Sequence, residues 1–450
     1  MSTGFVPTDA VTDELPAELP VDPPLPQTVE DTGLSEEFII DLVLKTLYVQ
    51  GARTGKQLTD SIKLPFPFVD DQLLSLQQRR MVEVKGTQGA SRAGYTFDLT
   101  QMGRDRAREA FSANMYVGAA PVPLSQYRQW VAIQSIQKVH VTRPDVEAAF
   151  APLVLNQETL DEVGPAINSG RSMFLHGESG NGKTTIAEIV ARMLGGSLWI
   201  PYAIEIDGQI IVVYDPLYHR APHDTTKAAA EDGDDLWLPD CNHDLRWVKA
   251  ARPVVLTGGE LTLDQLDLQY DNFTKLYQAP FQVKANGGVL IVDDFGRQRV
   301  PPRDLLNRWI VPLEKRVDFL TLHTGAKFPI PFDVLLVIAT NIDPKQLVEE
   351  AFLRRIHYKI RVESPSVEQY ERIFTAYCDS KGIPFKREAI QQVYRDFYQA
   401  HRIAPRGCHP RDLIDHLIDI AKYLEQPPEL TPDLVDRAGK SYFLDFPTAA

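Results

Sequence analysis

Gly177-Glu178-Ser179-Gly180-Asn181-Gly182-Lys183-Thr184 is the stretch on which the reading of this chain turns. Glycines at such a bend let successive backbone N–H groups point inward with no Cβ in the way, which makes a concave anion site. The helix expected from about Lys183 adds its unpaired N–H groups and the positive end of its dipole. Ile186, Ile189, Val190, Met193 and Leu194 give that helix one apolar face, as a helix lying on a sheet requires. Ser172 to His176 reads as the short strand that delivers the chain to the loop. A strand, a loop of this spacing and an amphipathic helix together predict a cradle for nucleotide phosphates, with Gly177 through Thr184 and the adjacent Thr185 as binding residues. Lys183 is expected to reach the β and γ phosphates, and the Thr184 hydroxyl to ligate Mg²⁺.

A second stretch completes the chemistry. Val289-Leu290-Ile291-Val292 is a continuous apolar run, expected of a central parallel strand covered on both faces. It ends in Asp293-Asp294, a carboxylate pair at the strand edge where ligands of open α/β sheets sit. Asp293 is expected to hold the Mg²⁺ shell, and Asp294 to orient or deprotonate the attacking water. Val334 to Ala339 is another buried strand, followed by Thr340-Asn341. Asn341 is neutral and both donates and accepts, which suits it to positioning a water.

In this order the motifs resemble the AAA+ superfamily of ring-forming ATPases, from about Thr142 to the end of the chain. Gly177 to Thr184 is similar to the Walker A motif, Val289 to Asp294 to Walker B, and Asn341 to the sensor 1 residue. Ala351-Phe352-Leu353-Arg354-Arg355 resembles the arginine-finger segment before the last core strand, Tyr358 to Val362. Pro410-Arg411-Asp412-Leu413 resembles the sensor 2 signature that opens a lid helix. The resemblance implies that Arg354 or Arg355 enters a neighbouring subunit's site, and that Arg411 acts within its own. It further implies a homo-oligomeric ring, expected to be a hexamer. One departure stands out: the family's second Walker B acid is glutamate, and Asp294 is one methylene shorter.

About one hundred residues separate the two motifs. Ile204-Glu205-Ile206 and Ile210 to Tyr214 flank Asp207-Gly208 and predict a hairpin. Ala229 to Asp244 reads as an acidic solvated loop, and Leu261 to Phe273 as a helix. Phe319 to Leu322, Gly325 and Phe328 to Phe332 resemble the hairpin inserted before sensor 1 in MoxR-like branches, where it lines a pore or engages a partner. Helices at Arg387 to Ala400, Arg411 to Leu424 and Pro432 to Gly439 are expected to form a C-terminal lid over residues 364–450.

Upstream, residues 1–34 carry Asp9, Asp13, Glu14, Glu18, Asp22, Glu30 and Asp31 without a lysine or arginine, and predict a disordered acidic leader. Residues 35–114 predict three helices and a two-stranded ribbon, an order that resembles a winged-helix domain. Its 11 Lys/Arg against 10 Asp/Glu make it nearly neutral, which favours protein docking over duplex reading, with Arg79, Arg80, Lys85 and Arg92 as a small basic edge. Residues 115–141 are expected to link it to a nucleotide-binding core at residues 142–363.

The bulk properties narrow the class. A net charge of -14 argues against a general preference for nucleic acid or anionic membrane. The three cysteines, Cys241, Cys378 and Cys408, are far apart and lack metal-site spacing, which fits a reducing compartment. With no secretory signal and no apolar run of membrane-spanning length, a cytoplasmic protein without integral membrane association is expected. The sequence therefore predicts an α/β ATPase using ATP and Mg²⁺ to remodel a protein complex. The alternatives are a nucleic-acid-associated ATPase, such as a DNA loader or a transposition or transcription regulator, and an ATP-gated switch with weak turnover.

Overall fold

In this computed structural model the protein is described at residues 21–87, 89, 91–220, 242–347 and 353–443. The first unit is helical. Helix α1 (Glu36–Gln50) begins at Ser35, whose hydroxyl accepts from Phe38 N. Strand β1 (Arg53–Thr54) leads into α2 (Gly55–Ile62), which opens with a Thr54–Gln57 capping box. Then come α3 (Phe66–Gln78), β2 (Val82–Thr87), β3 (Tyr95–Leu99) and α4 (Gln101–Ala113). The expected three helices and ribbon are present; β1 adds a third strand in the order β1-β3-β2. Leu73 and Leu76 are fully buried in α3, while Leu74 is 39% exposed.

The leader expected through residue 34 is corrected in its second part; residues 1–20 lie outside the described residues. Residues 21–34 run as a strap over the body. Asp22 accepts from Trp199 Nε1 at 3.2 Å, Pro23 O accepts from Asp244 N at 2.8 Å, and Thr32 and Leu34 are buried. A stretch without a core of its own takes its order from tertiary partners. The guanidinium of Arg246, 1% exposed, anchors the strap: it donates to Thr32 O and Pro121 O and forms a 2.7 Å ion pair with Asp244. Asp244, expected in a solvated loop, is therefore a buried counter-ion, because an unpaired buried guanidinium would be costly. The rest of that loop, residues 229–241 with Cys241, lies outside the described residues, and His243 packs its ring on Trp199.

Strand β4 (Val122–Pro123) and helix α5 (Leu124–Ile133) connect the first unit to the core. Helices α6 (Arg143–Phe150) and α7 (Gln157–Ser169) precede β5 (Ser172–His176) and α8 (Lys183–Met193). The insertion then contributes β6 (Ser197–Pro201), β7 (Ala203–Ile206), β8 (Gln209–Val212), β9 (Trp247–Ala251), β10 (Val254–Thr257), β11 (Gln269–Asp271), β12 (Leu276–Gln278) and α9 (Phe281–Lys284). After it come β13 (Val289–Val292), α10 (Pro302–Lys315), β14 (Val317–Thr321), β15 (Lys327–Pro331), β16 (Leu335–Thr340), α11 (Pro344–Leu347) and β17 (Tyr358–Arg361).

The fold is α/β. Its central sheet is parallel throughout, in the order β10-β13-β16-β5-β17. Every residue of β13 and β16 is buried, which explains their unbroken apolar runs. Met173, Leu175, Ile291 and Val337 meet Ile186 and Val190 of α8 on one face. On the other, Phe174, Leu290 and Leu336 meet Leu305 and Trp309 of α10.

The β7–β8 hairpin turns at Asp207 and Gly208, both with positive φ, and belongs to a second sheet, β11-β12-β8-β7-β4. The expected helix from Leu261 to Phe273 is absent. In its place are a 3-10 turn at Asp264–Leu266 and strand β11, whose backbone is satisfied by β12. The β14–β15 hairpin is present, with Leu320, Leu322, Phe328 and Ile330 packed among Trp130, Trp199 and Ile204.

Beyond β17, helix α12 (Val367–Lys381) is capped by Ser366. Helix α13 (Arg387–Val393), a π-helical turn at Tyr394–Gln399, α14 (His409–Tyr423) and α15 (Pro432–Tyr442) complete a lid with its own core around Tyr370, Phe374, Leu417 and Leu434. Among the described residues no helix is long and apolar enough to cross a membrane.

Candidate nucleotide site

Strand β5 ends at His176 and the chain turns immediately. Gly177 takes φ 144°, and a Cβ there would lie 2.2 Å from Val362 O, so the turn excludes a side chain. Helix α8 begins with Gly182 at its N-cap and no side chain satisfying its first amides, which leaves those donors for a ligand. Lys183 is only 8% exposed, and its ammonium donates to Gly177 O and Glu178 O, both at 2.9 Å. Burial pulls its pKa below the usual lysine value, against the opposing pull of Asp293, Asp294 and Glu178.

The parallel register brings the acidic turn to this loop. Thr184 Oγ1 donates to Asp293 Oδ2 at 2.6 Å, joining the two motifs across 109 residues. Asp294 is exposed, and at φ 47° it is a non-glycine residue in the left-handed region. Gln298 holds the turn: its Oε1 accepts from Gly296 N at 2.8 Å, and its Nε2 donates to Asp293 O at 3.2 Å. Thr340 pairs with His176, so Asn341 follows at the level of Gly177. The Asn341 Oδ1 is buried without a hydrogen-bond partner among the described residues.

The phosphate loop and the acidic turn line a cleft of about 780 Å³ between core and lid, a ligand-sized cavity. Ser179 to Thr185, Asp293 and Asp294 form its polar end, and Leu153, Val154, Leu155, Ile373 and Tyr377 its apolar wall. Arg411 reaches the cleft while its Nε donates to Asp412 at 2.9 Å.

The two remaining arginines are elsewhere. Tyr358 sits opposite Met173 and Arg361 opposite His176, so Arg354 and Arg355 precede the sheet edge remote from Gly177. Arg355 Nε donates to Glu314 of α10. Ala351 and Phe352 of the same segment lie outside the described residues. The structure therefore brings together Gly177 to Thr185, Asp293, Asp294 and Arg411, sets Asn341 at the loop's level, and keeps Arg354 and Arg355 away.

Sequence reading missed three contributors: Gln298, Ser364 and the lid turn Arg406-Gly407-Cys408. Cys408 N donates to Gly180 O at 2.8 Å, and Gly407 N to Asn181 Oδ1 at 3.1 Å. The sequence carries no local signal for the turn: a Cβ on Gly407 would meet Gly180 O at an ordinary 3.4 Å.

As a Mg²⁺ site, the Thr184 hydroxyl and the Asp293 carboxylate fit. A small, hard cation shared with phosphate oxygens needs only one or two protein oxygens. The described residues hold no group of three or more His, Cys, Asp or Glu that would suit a dedicated protein cage.

A family model described as a domain of unknown function (DUF8689) matches residues 366–441, the lid helices. No curated protein matches the chain. Among solved structures, NtrX from Brucella abortus is similar at 13% identity, over 67% of this chain and 58% of that one, with a TM-score of 0.39. The chain thus spans less than two thirds of that NtrX structure. NtrX in complex with ADP is similar at 13% identity, over 77% and 68%, with a TM-score of 0.39. RuvB from Thermotoga maritima, a Holliday junction branch migration motor, is similar at 13% identity, over 64% and 70%, with a TM-score of 0.35.

Proposed function

We propose that this protein is an AAA+ ATPase that binds ATP with Mg²⁺ in the core–lid cleft, hydrolyses it and uses the resulting movement to remodel a protein complex. The observation that carries this reading is the 2.6 Å bond from Thr184 to Asp293, beside a buried Lys183 held by two loop carbonyls. On this reading the Lys183 ammonium exchanges Gly177 O and Glu178 O for the β and γ phosphates. The loop amides and the open N-terminus of α8 bind the remaining oxygens. Mg²⁺, held by Thr184 and Asp293, supplies neutralisation of phosphate charge. Asp294 orients the attacking water and accepts its proton, and the unpaired Asn341 Oδ1 accepts a second hydrogen bond from that water. Arg411 senses the phosphates from the lid.

Arg354 and Arg355 serve a neighbouring subunit, because their own sheet separates them from their own loop. This supports a ring, most simply a hexamer, in which each site is completed in trans. The unit at residues 35–114 is then a winged-helix-like protein-docking module, joined by residues 115–141 to a core at 142–363 and a lid from 364. The β14–β15 hairpin presents Phe319, 50% exposed, to a client.

Titration with a fluorescent ATP analogue and a phosphate-release assay test the site. Lys183→Ala is expected to lower both nucleotide affinity and turnover, the turnover by at least ~100-fold. Removing Arg354 and Arg355 together is expected to leave binding intact and cut turnover by ~1,000-fold or more. Mixing that variant with Lys183→Ala subunits restores activity if sites are shared. Unchanged binding by Lys183→Ala refutes the site, and no restoration on mixing refutes the ring.

A further inference from the structure

The middle of the phosphate loop grips the lid. Asn181, 8% exposed, accepts from Gly407 N at 3.1 Å and donates through Nδ2 to Ser364 Oγ at 3.2 Å. One step earlier, Gly180 O accepts from Cys408 N at 2.8 Å. A Cβ on Gly180 would lie 2.5 Å from Cys408 Sγ, so the two segments touch with no room for a side chain. At the loop's outer end, Arg406 reaches the Glu178 carboxylate at 3.6 Å. Ser364 belongs to the strand-to-lid connection, and Arg406 to Cys408 to the turn that opens α14. A single amide side chain thus bridges the phosphate loop, the strand-to-lid connection and the lid.

We propose that Asn181 is a positioning residue that clasps the lid to the phosphate loop, so that any displacement of the loop by nucleotide phosphates is transmitted directly to α14. The proposal rests on the nucleotide-site reading for its purpose, but the clasp can be tested without nucleotide. It acts through hydrogen bonds that Asn181 makes away from the reacting atoms, and Arg411 and Cys408 are carried with the turn it holds.

Cys408 reports the state of the clasp, and Cys378, fully buried in the lid core, is an internal control. Full-length protein is treated with N-ethylmaleimide without nucleotide, and each cysteine is followed by peptide mass spectrometry. Asn181→Ala is expected to speed Cys408 modification by ~10-fold with Cys378 unchanged, the value of about two neutral hydrogen bonds. Ser364→Ala, which removes one of the two, is expected to give a smaller increase. An unchanged Cys408 rate in Asn181→Ala overturns the clasp. Equal acceleration of Cys378 shows that the lid unfolds, and overturns it as well. A separate measurement tests the coupling. Asn181→Ala is expected to speed release of the fluorescent ATP analogue by ~10-fold and to lower turnover at saturation by less. If Lys183→Ala binds nucleotide normally while Cys408 responds as expected, the clasp stands and the nucleotide reading alone fails.

Discussion

His409 shows how one buried group ties the lid to pH. It is 5% exposed, and its Nδ1 accepts from Arg406 N at 3.3 Å and lies 2.9 Å from the Tyr398 hydroxyl. Burial pushes its pKa down to about 4, with Arg406 adding to the fall and Asp412 opposing it. In the unfolded chain the imidazole takes its proton near 6.5. Between these values the unfolded state holds more protons, so stability is full above 6.5 and is lost as pH falls toward 4. The loss is expected to reach roughly 2–3 kcal/mol, measurable by thermal melts across that range. His409→Gln, which still offers an acceptor to Tyr398, is expected to flatten that part of the profile; an unchanged slope assigns the acid sensitivity elsewhere. His409 also shapes the turn that carries Arg406 and Cys408, so the same acidification is expected to loosen the lid's grip on the phosphate loop.

At the scale of elements, the β14–β15 hairpin is not a free arm. One of its faces lies in a core shared with α5 and the second sheet, and Arg308 pairs with the buried Asp318 at 2.6 Å. Leu320→Ala is therefore expected to cost ~2–5 kcal/mol in denaturant unfolding, as a cavity in a packed core does. Phe319→Ala, on the open face, is expected to stay within about 0.5 kcal/mol. Equal, small effects would mean that the hairpin does not belong to the body. The elements that could be read in the sequence share one property: their reasons are local. The phosphate loop, the apolar runs of β13 and β16 and the turn at Asp207-Gly208 each carry their own geometry. The Leu261–Phe273 stretch was misread because edge pairing between β11 and β12 outweighs an uneven apolar spacing. The clasp was out of reach, since Asn181 and Gly407 are 226 residues apart and nothing near either announces the other.

At the scale of the whole molecule, the first unit is built into the body. Ala203 and Ile210 of the insertion share a core with Ile39, Val43 and Leu73 of the helices. Its outer face offers little to a duplex. Arg92 forms an ion pair with Asp70 at 2.8 Å and also donates to Gln77, and Lys85 pairs with Glu83 at 2.6 Å. Half of the expected basic edge is thus neutralised by its own neighbours. Duplex DNA at moderate salt is expected to leave ATP turnover within about two-fold of its basal rate, because few phosphate contacts remain to be made. Strong stimulation that disappears on neutralising Arg79 and Arg80 would instead favour a nucleic-acid role.

The buried Arg246 has a consequence for how the chain reaches this state. Its guanidinium closes on Thr32, 214 positions earlier, and on Pro121. During synthesis the strap lacks this anchor until the ribosome has delivered that arginine, and the flank of the early helices that packs on Ala203 and Ile210 stays bare until the insertion follows. Non-local closure of this kind is slow and leaves apolar surface open to aggregation. Until then that flank of the early helices is a surface that a chaperone would shield.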